Sequence, residues 1–187
     1  MELDRRLESY REDMIRSLQE LIRIRSVEGE PKENMPFGEG PYQALNYMLN
    51  LAESMGFQTL NVDNYAGHID LGSGEETVGI LVHLDVVPEG EGWTYPPYGG
   101  EIHDGKIYGR GALDDKGPAI AVLYAMKAIQ EAGLVVPDDI SVVGFDNIEQ
   151  CAYSNPSLTT VGIDTSLVAR HTMKCLLELV EDPDAPA

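Results

Sequence analysis

Cysteines, basic side chains and long apolar runs are all scarce in this chain of 187 residues. Two cysteines, Cys151 and Cys175, cannot form a disulfide framework, so we expect reduced thiols in a cytoplasmic protein. No apolar run approaches the ~20 residues that span a bilayer, and the first residues have no signal-peptide core. The 13 Lys and Arg against 32 Asp and Glu give a net charge of −19, so we expect no nucleic-acid or membrane partner.

The apolar pattern predicts helices that alternate with strands. The predicted helices cover about residues 3–21, 42–55, 114–133 and 165–180, and the predicted strands about 57–62, 68–71, 77–84, 101–108, 140–145 and 158–161. Residues 101–108 read as a hairpin that turns at Asp104-Gly105, and Thr165 or Ser166 is expected to cap the last helix. Such alternation predicts a single α/β domain, a three-layer α/β/α sandwich around a mostly parallel or mixed central sheet.

Residues that can bind metal follow the strands of this predicted sheet. His83 ends the apolar run 77–84, and Asp85 stands two residues further on, where it can accept a hydrogen bond from the other imidazole nitrogen. Asp114 begins the third helix and Glu149 follows the strand at 140–145. One imidazole and two carboxylates suit zinc or a similar divalent ion. A core histidine, a helix N-cap and a solvated loop acid are the alternative interpretations.

Three motifs in the first part of the chain are specific. They are HLDVVP at residues 83–88, GWTYPPYGG at 92–100 and YGRGALDDKGP at 108–118. Through them, residues 1 to about 133 resemble bacterial dinuclear-zinc dipeptidases of the aminoacylase and glutamate carboxypeptidase superfamily. This resemblance implies that His83 binds one zinc ion, that Asp114 bridges two, and that Asp85 orients His83. It also implies a cis peptide bond between Asp114 and Asp115.

A different family is suggested by the remaining residues, about 136 to 183. The sequences VPDDISVVGFD at 136–146 and PSLTTV at 156–161 resemble the effector-binding domain of lactose-repressor-type regulators, whose fold is that of periplasmic sugar-binding proteins. Asp146 matches an aspartate that contacts the small-molecule effector there. When residues are counted through the dipeptidase pattern, Glu149 takes the place of a zinc-binding glutamate. Ile148 takes the place of the general base, and isoleucine cannot accept a proton.

The two resemblances together predict an engineered chimera, made to test whether fragments of different folds recombine. Residues 1–133 would come from a dipeptidase and residues 134–187 from a repressor-type protein, with the last residues frayed. We expect no native peptidase activity, because the base, the later zinc ligands and the lid domain of the family are missing. Vestigial binding of a single zinc ion is expected to remain. The alternatives are a zinc-dipeptidase fragment with weak residual hydrolysis and a small-molecule-binding module of repressor type.

Overall fold

The computed structural model describes residues 2–73, 78–136, 138–145, 147–153 and 157–181. The chain divides into two compact units. Unit 1 comprises Met1–Ser73 and Ile80–Ile140, and unit 2 comprises Gly74–Gly79 and Ser141–Ala187. The predicted α/β class is confirmed, because helices and strands occur in both units. Among the described residues, no helix combines the length and the apolar character that crossing a membrane requires.

Unit 1 contains four helices in its described residues. They are α1 (Glu2–Ser9), α2 (Arg11–Arg23), α3 (Glu39–Ser54) and α4 (Lys116–Ala132). The periodicity predicted one helix over residues 3–21, but the structure has a break at Tyr10, whose N–H donates to the Leu7 carbonyl (3.1 Å). The Tyr10 ring packs on Tyr124 of α4, with ring centroids 5.9 Å apart. We attribute the break to this tertiary contact, since periodicity alone does not detect it.

Two antiparallel hairpins also belong to unit 1. Strands β1 (Gln58–Val62) and β2 (Ala66–Asp70) form the first, and β3 (Glu101–His103) and β4 (Lys106–Tyr108) form the second. The second hairpin turns at Asp104 and Gly105, which have φ of 50° and 73°. Positive φ at both central residues is typical of a type I′ turn, and Asp-Gly is a favoured sequence for it. The hairpin predicted at 101–108 is confirmed, and the strands predicted at about 57–62 and 68–71 pair with each other as a second hairpin that the sequence reading did not name.

The run at 77–84 is not a strand where the structure describes it. Backbone groups at its end bond to side chains: the His83 N–H donates to the Asp115 carboxylate (3.2 Å), and the Leu84 carbonyl accepts the Ser26 hydroxyl (2.6 Å). These bonds replace the ladder that a central strand would form. The described strands therefore form three two-stranded sheets instead of the single central sheet that the sequence predicted.

The core of unit 1 lies between α2, α3 and α4. Its buried members are Leu21, Ala44, Met48, Ala52, Phe57, Ala119, Ile120, Leu123 and Tyr124. One polar contact sits among these apolar side chains: the hydroxyls of Ser17 and Tyr124 are 3.0 Å apart and form a buried hydrogen bond that joins α2 to α4. Because buried polar groups are costly when unpaired, this pairing satisfies both hydroxyls where the two helices pack.

Unit 2 has shorter strands than the sequence predicted. Its described elements are β5 (Gly144–Phe145), a 3₁₀ helix (Glu149–Ala152), β6 (Thr160–Val161) and α5 (Thr165–Glu181), and β5 pairs with β6 in parallel. The last helix is confirmed, but its cap is different. The Asp164 carboxylate, not a Thr165 or Ser166 hydroxyl, accepts a hydrogen bond from the Leu167 N–H (2.9 Å). An aspartate three residues before that N–H is a strong N-cap.

Gly40 marks a close approach of α3 to the segment after α2, and it gives a first testable prediction. A Cβ atom there would lie 2.2 Å from the Arg25 carbonyl oxygen and 3.0 Å from the Ser26 Cα. Gly40→Ala is therefore expected to destabilise unit 1 by about 1–3 kcal/mol, as overpacking usually does. Urea unfolding followed by Trp93 fluorescence measures this loss. In the control Gly29→Ala the new Cβ meets nothing within 4 Å, so an equal loss there would contradict the packing argument.

Candidate metal-binding site

His83 and Asp114 lie side by side in unit 1. The Nε2 atom of His83 is 3.0 Å from Oδ1 of Asp114. The opposite ring nitrogen, Nδ1, donates to the backbone carbonyl of Asp85 (3.1 Å) and lies 3.4 Å from that residue's carboxylate. The main partner of Nδ1 is thus the Asp85 carbonyl, where the sequence suggested its carboxylate. This bond orients the ring, so that Nε2 faces Asp114.

Asp114 and Asp115 precede α4, and their peptide bond is cis, as the sequence resemblance implied. Asp115 is the N-cap residue of α4, yet its side chain makes no cap hydrogen bond. Its carboxylate instead accepts the backbone N–H of His83. The Asp114 side chain is 86% exposed and precedes the cap position. Asp114 is therefore not the helix cap. Both aspartates instead contact His83, Asp114 at the imidazole and Asp115 at the backbone N–H.

The pKa of His83 is raised above its usual value. Partial burial lowers this pKa, but the hydrogen bonds with Asp114 and with the Asp85 carbonyl, together with the charge of both carboxylates, outweigh burial. The surroundings of the imidazole thus favour positive charge. A bound cation would meet the same favourable field, with Nε2 as one ligand atom.

The pair fits a divalent ion such as zinc in donor type and in spacing. Zinc takes imidazole nitrogen and carboxylate oxygen at ~2.0–2.2 Å, and two such atoms in a tetrahedral site lie about 3.4 Å apart. The observed separation of 3.0 Å is close to that value, so a small side-chain movement would admit the ion. Within the part of the chain that the structure describes, no group of three His, Cys, Asp or Glu side chains is placed to hold a metal. The pair is a two-residue site.

An open cavity of about 420 Å³ adjoins His83. His83 and Asp85 form part of its wall. The remaining wall is largely apolar and includes Phe37, Leu45, Met48, Ile69, Leu81 and Val82. Small-molecule sites commonly combine an apolar wall with a few polar groups at one side. The cavity therefore has room for a small ligand beside the imidazole.

Two further residues that the sequence singled out belong to unit 2. Glu149, predicted as a metal ligand, begins the 3₁₀ helix, and its carboxylate accepts a hydrogen bond from the Tyr153 hydroxyl (2.8 Å). Asp146, predicted to contact a small-molecule effector, lies outside the described residues. The roles assigned to these two residues from sequence stay predictions.

Known proteins resemble both parts of the chain. A putative dipeptidase of Bacillus subtilis is 45% identical over 135 residues, which is 71% of this chain and 29% of the relative. The beta-Ala-Xaa dipeptidase of Lactobacillus delbrueckii subsp. lactis is 39% identical over 181 residues, 95% of this chain and 36% of the relative. Human carnosine dipeptidase 1 has a similar structure, with a TM-score of 0.60 and 25% identity, covering 73% of this chain and 32% of that one. The chain is dipeptidase-like.

The C-terminal residues also match a second family. The family model of a periplasmic binding protein-like domain matches residues 118–187. The 181-residue match to the Lactobacillus dipeptidase takes in most of the same residues, so this relative and the family model overlap on this part of the chain. These matches support each resemblance separately and do not show that two proteins were joined by design. The chain spans only 29% and 36% of the length of the two curated dipeptidases.

Lys116 is a residue of the dipeptidase-like part that the sequence reasoning missed. Its side chain is fully buried, and its Nζ donates to the carbonyls of Leu21 (3.0 Å) and Ile24 (2.7 Å). Burial lowers its pKa to about 8. A signal for this role exists in the sequence: a lysine in the first turn of a helix opposes the helix dipole, which indicates that its ammonium group is used elsewhere.

Glu89 is a second residue that the sequence did not reveal. Its carboxylate accepts hydrogen bonds from Arg25 (3.0 Å) and the Tyr98 hydroxyl (2.8 Å). Its backbone carbonyl accepts hydrogen bonds from the Trp93 indole (2.7 Å) and Arg110 (3.1 Å). Its own backbone N–H, Tyr98 and Arg25 together lower the pKa of Glu89 to about 2. The loop after the His83 segment is thus organised around one glutamate.

The low pKa of Glu89 predicts a pH-dependent effect of Glu89→Gln. The unfolded carboxyl titrates near 4.5, so the native carboxylate stabilises the fold above that pH and loses its effect as the pH falls toward about 2. We expect the variant to be less stable than the wild type at pH 6, with the difference shrinking below pH ~4.5. Urea unfolding at several pH values measures it, with exposed Glu91→Gln as the control. A difference that stays constant down to pH ~3 would contradict this prediction.

Proposed function

We propose that this chain is a dipeptidase-type fragment that binds one divalent cation through His83 and Asp114. The observation that carries the proposal is the 3.0 Å approach of His83 Nε2 to Asp114 Oδ1, with Nδ1 held by the Asp85 carbonyl. The dipeptidase names of the similar proteins support it. Zinc is the best candidate for the ion, because the donors are one imidazole nitrogen and one carboxylate.

The proposed activity is slow, cation-dependent hydrolysis of dipeptides. When bound, the ion would polarise a peptide carbonyl as a Lewis acid. His83 and Asp114 would hold the ion, and Asp115 accepts the His83 N–H and so helps to keep the imidazole beside Asp114. Ile148, counted at the place of the general base, offers no group that accepts a proton. A missing base typically costs ~10²–10⁴ in rate, so we expect hydrolysis far slower than that of an intact dipeptidase.

An assay of β-alanyl-histidine hydrolysis with added Zn²⁺ or Mn²⁺ tests this activity. The expected result is a slow release of histidine that stops with a chelator and in Asp114→Ala. The matched control is Asp70→Ala, which removes an exposed aspartate that also pairs with a histidine. Release that persists with chelator, or is unchanged in Asp114→Ala, would refute the proposed hydrolysis. Turnover as fast as that of an intact dipeptidase would refute the prediction that this chain lacks a general base.

A second candidate function follows from the match of residues 118–187 to a periplasmic binding protein-like domain. In this proposal the C-terminal part binds a sugar or a purine, with Asp146 as a contact. Thermal unfolding with ribose and with adenine tests it. The proposal predicts a rise in the melting temperature that is absent in Asp146→Ala. No shift with either compound would remove this candidate.

The origin of the chain as an engineered chimera is also a proposal. Residues 134–187 would then have been added to residues 1–133 to complete one domain. A completed domain of this size is expected to unfold in one cooperative transition. Trp93 fluorescence, which reports on unit 1, and far-UV circular dichroism, which reports on helices of both units, should then give the same midpoint. Two separate midpoints would contradict a single completed domain.

A further inference from the structure

One short segment, residues 21–26, is bonded to both parts of the chain that carry the proposed metal ligands. The first attachment comes from Lys116, which stands two residues after Asp114. Its Nζ donates to the carbonyls of Leu21 and Ile24 at the C-terminal end of α2. Since the side chain is fully buried, this contact excludes water and fixes the start of α4 against the end of α2.

The second attachment comes from Ser26, which is also fully buried. Its hydroxyl donates to the carbonyl of Leu84, the residue directly after His83 (2.6 Å). Its backbone carbonyl accepts the N–H of Val86 (3.1 Å). Two hydrogen bonds to the same serine, one on each side of Asp85, fix the backbone from which the His83 imidazole projects.

The positive charge of Lys116 is stabilised by the end of α2 and not by α4, the helix that carries it. A buried ammonium group is costly unless it is paired. Here the pairing is with carbonyls at a helix C-terminus, where the partial charge is negative. At its own position, in the first turn of α4, a cation is unfavourable. Both described hydrogen bonds of this ammonium group therefore go to residues 21–26.

We propose that Lys116 and Ser26 are positioning residues for the cation site. By attaching both ligand-bearing segments to residues 21–26, they set the distance between His83 and Asp114. Cation affinity then depends on two side chains that do not touch the cation. The inference rests on the proposed function, since it requires that the pair binds a cation.

Titration with Co²⁺, followed by its visible absorption, tests the inference on the full chain. Lys116→Met removes the ammonium group and keeps most of the aliphatic stem, and Ser26→Ala removes one hydroxyl. Each variant is expected to raise the Kd for Co²⁺ by ~10–100-fold, the usual effect of losing a group that orients a ligand, and to change the absorption spectrum. Tyr124→Phe is the matched control, because it breaks the buried bond to Ser17 between the same two helices. Its Kd should stay that of the wild type.

The outcomes separate this inference from the proposed function. If the wild-type chain does not bind Co²⁺, the proposed function fails and the inference falls with it. If the wild type binds and both variants keep its Kd and spectrum, the positioning role is overturned while the proposed function stands. An equal rise in Kd for Tyr124→Phe also overturns it, because general loosening of the helices would then explain the effect. If Lys116→Met does not fold, Ser26→Ala decides alone, and an unchanged Kd overturns the inference.

Discussion

His83→Ala is expected to bind Zn²⁺ at least 100-fold more weakly than the wild-type chain. Removing a group that merely orients a metal ligand costs ~10–100-fold in affinity, and here one of two protein ligands is itself removed. Isothermal titration near pH 7.5 measures the change, since a histidine ligand must lose its Nε2 proton before it binds metal. The wild type should bind one ion per chain.

The matched control for this experiment is His68→Ala. His68 lies on β2 and pairs with Asp70 two residues further on, with Nδ1 3.0 Å from Oδ1. It thus repeats the spacing of His83 and Asp85, and among the described residues its ring has a hydrogen-bond contact with Asp70 and none equivalent to that of His83 with Asp114. The control should keep the affinity of the wild type. Equal losses in the two variants, or an unchanged affinity in His83→Ala, would show that the cation binds elsewhere.

The second large effect is expected in the core. Leu123, on α4, is 1% exposed and belongs to the buried cluster that also contains Leu21 and Ala44. Leu123→Ala should lower the free energy of unfolding of unit 1 by about 2–5 kcal/mol, because it removes buried methyl groups and leaves a cavity. That loss is a large part of the ~5–15 kcal/mol that stabilises a typical domain. Urea unfolding followed by Trp93 fluorescence measures it.

Leu81→Ala serves as the control for the core and also tests the fold around residues 78–86. The Leu81 side chain is 88% exposed, so its truncation should cost less than ~0.5 kcal/mol. If this leucine instead lay in a buried central strand, as the sequence predicted, its loss would match that of Leu123→Ala. A cost above about 2 kcal/mol would therefore contradict the described arrangement of this segment.

The local signals in the sequence predicted the last three helices and the 101–108 hairpin, but they did not predict the break at Tyr10. The hairpin turn and the end of α4 both need a left-handed backbone. The structure has positive φ at the residues that the sequence offers there, Asp104, Gly105 and Gly133. Long-range contacts decide the features that the sequence did not predict. Residues 77–84 are apolar enough for a buried strand, but the hydrogen bonds of this segment go to Ser26 and Asp115. An apolar pattern predicts burial and does not name the partner of each N–H group.

The same distinction applies to the candidate site: local motifs predicted some of its residues, and long-range contacts determine the others. His83 and Asp114 were predicted from motifs that place chemically recognisable groups at fixed positions, and the structure brings these two together. Lys116 and Glu89 were missed, because their partners are carbonyl groups or side chains far away in the sequence. Lys116 reaches back 95 residues to Leu21. Contacts of that kind depend on the packing of α2 against α4, which no local pattern encodes.

The most direct test of the central claim is a nitrogen-resolved NMR spectrum of the imidazoles during Zn²⁺ titration. The chain has four histidines, at positions 68, 83, 103 and 171. The account predicts that one equivalent of Zn²⁺ shifts Nε2 of His83 alone, while Nδ1 stays protonated because it donates to the Asp85 carbonyl. Unchanged His83 signals, or the same shift at another histidine, would contradict cation binding at the His83–Asp114 pair.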